Sequence, residues 1–303
     1  MEIHATFYYR VADHVIKIVD YLGLEIDRAL PSFLPFRCAA PKIDPMMTIA
    51  IKRNTNISNL PPRKILSDIS VIWLERFRFE ESSDNYFTSI LGTRQKSDWL
   101  MCSEKDFSRS VIYPEAEELF NTNKLSWLIM VAFGQACLAY RTLLIHASVV
   151  ENGHAAVAFL GKSGTGKSTH SRLWMKYLPE FGLLNDDNPA IRICGDNQVL
   201  IFGTPWSGKT HCYRRSEFPL NALVRLEQSS YNDLSQQKEI QALTAVLPSC
   251  SAIRWNANLF NQMVSSLELI ISQVKVAKLK CLPDKGAVEL SHSFALDDPL
   301  LVR

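Results

Sequence analysis

Ala155-Ala156-Val157-Ala158-Phe159-Leu160, followed by Gly161-Lys162-Ser163-Gly164-Thr165-Gly166-Lys167-Ser168-Thr169, is the stretch on which the fold of this chain turns. An apolar run of strand length leads into a glycine-rich turn and then into a helical pattern. The turn fits G-x-x-x-x-G-K-[ST], the phosphate-binding loop, in the strand–loop–helix context that the motif needs. Glycines let consecutive backbone N–H groups turn inward around an anion, and the following helix adds the positive end of its dipole. Gly161, Ser163, Gly164, Thr165, Gly166, Lys167, Ser168 and Thr169 are therefore the candidate nucleotide-binding residues. Lys167 is expected to reach the β- and γ-phosphates, and the Ser168 hydroxyl to hold a Mg²⁺ ion. A glycine- and serine-rich turn matching by accident is the weaker reading, and the expected ligand is a nucleoside triphosphate with its metal.

Immediately upstream, Leu143–Val150 reads as a strand and Glu151-Asn152-Gly153-His154 as a tight turn into Ala155–Leu160. Asn-Gly between apolar runs is a strong hairpin signal, so the strand feeding the loop is expected to pair antiparallel with its predecessor. Downstream, Lys167–Leu178 reads as a helix ended by Pro179, and Phe181–Leu184 as a short strand before Asn185-Asp186-Asp187-Asn188. Pro189–Cys194 and Val199–Gly203 read as a second hairpin, and Leu220–Leu226 as a further strand. Leu234–Leu247 and Asn258–Ser272 carry apolar residues at helical spacing. Val274–Leu282 alternates as a strand, and Asp284 suits the cap of a last helix, Lys285–Ala295. The helix pair reads as core, with a contact between copies of the chain as the other use of such a face.

The first 115 or so residues read as β-rich, with strand-like runs at Ala5–Tyr9, Met47–Lys52, Ile69–Leu74, Phe87–Leu91 and Ser108–Ile112. Pro31, Pro35, Pro41 and Pro45 make residues 31–46 an expected extended loop. Pro114-Glu115-Ala116-Glu117 looks like a helix start, with the long apolar helix through Tyr140 after it. The expected domains are thus a β-rich segment, 1–115, and a phosphate-loop segment, 116–303.

Composition narrows the function classes. With 303 residues, 47% of them apolar and 21% charged, the chain has ample material for a globular core. A net charge of +2 offers no global attraction to a polyanion, so nucleic acid is not an expected partner. Seven cysteines without a C-x-x-C pair fit neither a disulfide framework nor a zinc site, and point to a reducing cytoplasm. Met1-Glu2-Ile3-His4 lacks the basic flank of a signal segment. Leu125–Tyr140 is too short and too interrupted for a comfortable membrane span, so no membrane association is expected.

Four features together resemble the HPr kinase/phosphorylase family and its relatives, which include phosphoenolpyruvate carboxykinase. They are Leu143-Leu144-Ile145-His146-Ala147, the loop that follows it, the pair Asp186-Asp187, and Gly203-Thr204-Pro205-Trp206-Ser207-Gly208-Lys209. The resemblance covers about residues 120–230, more weakly Lys278–Phe294. It implies an α/β fold with a mixed, hairpin-rich sheet around one phosphate-loop helix, a β-rich N-terminal domain and a helical C-terminal part. It also implies ATP-dependent phosphoryl transfer to a hydroxyl of a protein, a peptide or a small molecule. Leu200-Ile201-Phe202-Gly203 lacks the glutamate that precedes this glycine in true HPr kinases. Phosphorolysis, and HPr itself as substrate, are therefore not carried over.

The residues bear their own reading beside this. Phosphoryl transfer needs the triphosphate cradled, its charge neutralised and an acceptor hydroxyl relieved of its proton. Asp186 and Asp187 stand at a strand's carboxyl end, where ligands gather in such sheets, and adjacent residues there point in different directions. The resemblance implies Asp187 as base, with Asp186 nearer the metal and His146. His146 by itself reads as a satisfied core group; with the resemblance, a hydrogen bond to one aspartate is expected. Lys209 is the fourth catalytic candidate, and Lys209, Arg214 and Arg215 suit either the transferred phosphoryl group or a solvated loop face. His154, His170 and His211 show no partner pattern, and Trp174 and Leu173 read as core. A nucleotide-binding regulatory protein without efficient transfer is the second reading, and a carboxykinase-like enzyme the last.

Overall fold

The computed structural model describes residues 4–53, 62–72, 75–91, 97–115, 119–120, 122–208 and 210–296. They form a mixed α/β protein that divides into two compact units, Met1–Cys137 and Leu138–Arg303. Strands dominate the first. They are β1 (Ala5–Val11), β2 (His14–Asp20), β3 (Met47–Ile51), β4 (Lys64–Ile72), β5 (Glu75–Glu81), β6 (Asn85–Leu91), β7 (Ser97–Glu104) and β8 (Arg109–Tyr113). They make one sheet in the order β1-β2-β3-β8-β7-β6-β5-β4. β2, β3 and β8 pair in parallel, and the remaining neighbours antiparallel.

Two helices complete this unit, α1 (Ile26–Ala29) and α2 (Lys124–Ala136). α2 buries its apolar residues Leu125, Leu128, Ile129 and Phe133, and a 3-10 turn, Cys137–Tyr140, extends it. Residues 31–46 are only in part the extended loop expected from their prolines: residues 37–46 form no helix or strand, but the start does. Pro31–Phe36 winds into a 3-10 turn, because Pro31 fits a first helical position and the turn drives Phe33 and Phe36 fully into the core. The proposed strand Ile69–Leu74 is the end of the longer β4, and its last two residues lie outside the described ones. The proposed helix start at 114–117 lies partly there too; Pro114 and Glu115 are not helical.

The second unit contains β9 (Thr142–Leu144), β10 (Ala147–Glu151), β11 (Ala156–Leu160), β12 (Gly182–Asn185), β13 (Ala190–Ile193), β14 (Val199–Phe202), β15 (Glu217–Gln228), β16 (Asp233–Gln236) and β17 (Lys275–Cys281). Its helices are α3 (Lys167–Tyr177), α4 (Glu239–Val246), α5 (Ala257–Ile271) and α6 (Lys285–Leu296). The sheet runs β12-β10-β11-β15-β14-β13-β9, with β17 joined to β15 and β16 to β17. The two hairpins read from the sequence form as expected, β10 on β11 and β13 on β14.

Three expectations are corrected. Leu143–Val150 is not one strand: β9 pairs with β13 while β10 pairs with β11 and β12, and Ile145-His146 is the switch between them. There the backbone N–H of Ile145 donates to Pro189 O and that of His146 to Ser249 O, so both N–H groups at the break find acceptors. Leu234 belongs to strand β16, whose residues pair with β17, and the helix starts only at Glu239. The C-terminal part is therefore α/β rather than simply helical, since β17 also lies parallel to β15.

Why the site ends up rigid follows from burial. Every residue of β10 and β11 is buried. On one side, Trp174 of α3 packs edge-on to Phe159 and Phe181, with ring centroids 5.4 and 5.0 Å apart. Ala287, Val288 and Ala295 of α6 join the same cluster. Each fully buried large apolar side chain contributes about 1.5–3 kcal/mol, so the helix that starts at Lys167 is held firmly on the strands below. Asp284 starts α6 as expected: its Oδ1 accepts from the N–H of Ala287 at 2.9 Å, and this bond leads the causes that hold its carboxyl below the ordinary range.

Candidate functional site

The loop between β11 and α3 takes its shape from residues that few others can replace. Gly161 has φ 153°, and a Cβ there would come within 2.4 Å of Thr165 Oγ1. Thr165 in turn donates to Lys162 O from both its N–H (3.2 Å) and its hydroxyl (2.7 Å). Gly166, at φ 101°, stands at the N-cap of α3, and no side chain caps the helix there. The first-turn N–H groups of an α-helix have no intrahelical acceptor, so this uncapped start leaves donors facing the loop. With the helix dipole behind them, they suit an anion.

Lys167 is buried at the first turn of α3. Its Nζ lies 3.0 Å from Gly161 O, 3.4 Å from Lys162 O and 2.9 Å from His146 Nε2. Burial lowers its pKa from the ordinary value, and the Asp187 and Asp186 carboxylates oppose that shift. An ammonium has donors only, so His146 Nε2 is the acceptor and Nδ1 carries the imidazole proton. Nδ1 faces Asp187 Oδ1 at 2.9 Å. A continuous chain, Lys167–His146–Asp187, thus joins the loop to a carboxylate.

The sheet topology makes that chain possible. β10 pairs with β11 so that Ala147 faces Leu160, which sets His146 beside the start of the loop. β12 flanks β10 on its other side, with Asn185 opposite Val149, and Ala147 N donates to Asp187 O at 2.9 Å. The two aspartates diverge as expected for neighbours at a strand end, but the pairing of His146 with Asp186 that the resemblance implies is corrected. Asp187, not Asp186, meets His146. Asp186 receives the hydroxyls of Ser148 on Oδ1 (2.6 Å) and Thr210 on Oδ2 (2.8 Å). Ser148 also meets Ser171 of α3 at 2.7 Å.

A second layer fixes the Asp pair. Asn185 Oδ1 accepts from Asp187 N at 2.9 Å, while its Nδ2 donates to Thr204 O and Oγ1 at 3.3 and 3.2 Å. Ser207 Oγ accepts from Asp186 N at 3.2 Å and donates to Thr210 O at 2.8 Å. Thr204, Ser207 and Thr210 therefore bring their hydroxyls to the Asn185–Asp187 stretch. Lys209, a catalytic candidate, lies outside the described residues. Arg214 is engaged elsewhere, donating to Glu151 Oε1 and Leu183 O at 2.7 Å each. Arg215 is exposed.

Gly161, Ser163, Gly164, Thr165, Gly166, Lys167, Ser168 and Thr169 all line or open the loop, and His146, Asp186 and Asp187 gather next to it. Sequence reasoning missed Ser148, Ser171, Asn185, Thr204 and Thr210. Ser148 stands two residues from His146, the strand spacing that puts side chains on one face, and this was the available signal. Asn185 directly precedes the Asp pair and bonds Asp187 N two residues on, a local signal, whereas Ser171, Thr204 and Thr210 act through contacts between distant segments. His170 is core, as its lack of a partner pattern suggested. Its Nε2 meets Ser291 Oγ at 3.0 Å and accepts from Trp174 Nε1 at 3.3 Å, and burial pushes its pKa down to about 4.

Among the described residues no group of three or more His, Cys, Asp or Glu side chains could hold a metal ion. A magnesium ion does not require one, since it is usually bound by one or two carboxylates together with substrate phosphates. No helix among the described residues is long and apolar enough to cross a membrane. No protein-family model matches this chain, and no curated protein matches it.

Proposed function

We propose that the second unit is a phosphate-loop core of the HPr kinase/phosphoenolpyruvate carboxykinase type, and that the protein is an ATP-dependent kinase. It transfers the γ-phosphoryl group of ATP to a hydroxyl of a protein or peptide serine, or of a small metabolite. The observation that carries this reading is the Lys167–His146–Asp187 chain, which links an anion-binding loop to a carboxylate able to take a proton. The acceptor oxygen bonds to the γ-phosphorus, the bond from that phosphorus to the β,γ-bridging oxygen breaks, ADP leaves, and the acceptor's proton passes to Asp187. His146 Nδ1–H holds one oxygen of Asp187 and leaves the other for the acceptor. Lys167 and the uncapped start of α3 supply positive charge to the phosphates.

The Ser168 hydroxyl and the Asp186 carboxylate would hold Mg²⁺, which when bound neutralises phosphate charge. The Ser148 and Thr210 hydroxyls, one on each oxygen of Asp186, hold that carboxylate in place for such a role. The missing glutamate before Gly203 keeps phosphorolysis out of the proposal. A hydroxyl-bearing acceptor is the partner proposed; neither a nucleic acid nor a membrane is.

Two substitutions test it. Lys167→Ala should lower Mg–ATP affinity about a hundredfold, the scale of losing a charged hydrogen-bonding group. Asp187→Asn should keep that affinity and abolish phosphate release or transfer from ATP. Equal calorimetric affinity for wild type and Lys167→Ala would end the nucleotide assignment. Tight ATP binding with no turnover in the wild type, across hydroxyl acceptors and water, would favour a nucleotide-binding regulatory protein instead.

A further inference from the structure

β10 and β15 lie on opposite sides of β11, so the loop at the end of β11 has two flanks. On the β10 flank stand His146 and the aspartates. On the β15 flank lies a cavity of about 390 Å³, bounded by loop residues 162–165 and by strand residues 225–228. The parallel register that sets Leu160 against Arg225 carries the end of β15 past the end of β11, and this overhang walls the cavity. Its volume falls within the roughly 300–1,000 Å³ of small-molecule sites. It opens at the carboxyl ends of two parallel strands, the position where ligands of such sheets collect.

The lining is mixed in a way that suits neither a bare anion nor an apolar ligand. Buried Leu226 gives an apolar floor. Glu227 presents a carboxylate, held by Lys278 Nζ at 2.8 Å. Gln228 sends its Nε2 to Gly164 O at 3.2 Å, which ties the strand end to the loop and keeps its amide oxygen available as an acceptor. The Arg225 guanidinium is turned to Ala245 O at 2.9 Å. A carboxylate suits ribose hydroxyls, an amide suits the edge of a base, and an apolar floor suits its face.

We infer that this cavity takes the nucleoside of the triphosphate. The nucleotide then lies across the loop, with its γ-phosphoryl end on the His146–Asp187 flank and its base and ribose against Glu227 and Gln228. This rests on the kinase reading above and adds to it the place and the residues that hold the nucleoside of ATP.

Titration calorimetry on the full chain with Mg–ATP and with Mg–tripolyphosphate tests the placement. Wild type should bind ATP at least tenfold more tightly than tripolyphosphate. Glu227→Ala and Gln228→Ala should each lower ATP affinity several-fold and leave tripolyphosphate affinity unchanged, whereas Lys167→Ala should lower both. Equal affinity for the two ligands in the wild type overturns the nucleoside site and leaves the loop assignment standing. So does an equal loss of both ligands in Glu227→Ala and Gln228→Ala. Failure of both ligands to bind the folded wild type overturns the kinase reading, and the nucleoside site with it.

Discussion

In the first unit several buried polar side chains make separate, short-range contacts. Ser103 meets Ser110 at 2.8 Å, Lys124 meets Glu75 at 3.7 Å, and Asp20 accepts from the N–H groups of Leu22 and Leu24 at 2.8 and 2.5 Å. In the second unit Ser148, Lys167, Ser171, Asn185, Thr204 and Ser207 are all buried near one end of β10 and β12, and their contacts converge on His146, Asp186 and Asp187. An isolated buried pair can be replaced by apolar groups of similar shape at little net cost. A network in which each group orients the next is harder to simplify, and what it secures is position. Buried polar atoms without a hydrogen bond occur in both units, for example Tyr9 Oη, Thr88 Oγ1 and Trp99 Nε1 in the first and Gln262 Oε1 in the second, but not among the described residues of the candidate site.

Acid should test this contrast most strongly. In the native second unit His170 stays neutral down to about pH 4, whereas in an unfolded chain it takes its proton near 6.5. Between those values the unfolded state binds more protons, so stability should be complete above pH 6.5 and fall as pH drops toward 4, by about 3 kcal/mol at the lower end. Urea unfolding at pH 7 and pH 5, followed by tryptophan fluorescence, should show the loss, and His170→Gln should reduce it. Identical pH dependence in that variant would mean that acid acts elsewhere.

Next in size, Asn185→Ala removes three hydrogen bonds from a fully buried residue, at a cost of about 2 kcal/mol. Because Asn185 holds both Asp187 and Thr204, turnover of ATP should fall further than its affinity. Parallel losses of both would reduce Asn185 to a purely structural part. The smallest effect belongs to the first unit. Ser103→Ala should cost about 1 kcal/mol and leave Mg–ATP affinity unchanged, and a change in that affinity would break the contrast drawn between the two units.

Much of this arrangement is legible in the chain because it is local. The Asn152-Gly153 turn, the Gly161–Thr169 loop and the Ala190–Phe202 hairpin each declare themselves within a dozen or so residues. The parallel pairing of β11 with β15 does not, since some sixty residues intervene and periodicity is silent about distant partners. The switch at Ile145-His146 was hidden for a related reason. The strand-like pattern continues through it without a turn residue, and only the carbonyls of Pro189 and Ser249 reveal that the strand changes partners there. The Asp-Asp pair was visible as a feature, but which aspartate meets His146 depends on how β12 registers against β10.

Gly161 also bears on the thermodynamics of recognition. With no room for a side chain over Thr165, and with Thr165 doubly bonded to Lys162 O, this stretch of backbone gives up its conformational freedom when the chain folds. An anion arriving at the loop therefore meets a surface already ordered. Little further entropy is lost on contact, and more of the attraction between phosphate and N–H groups appears as affinity. Rigidity introduced by one hydrogen-only side chain is in this sense part of the binding energy, although Gly161 offers the ligand no charge.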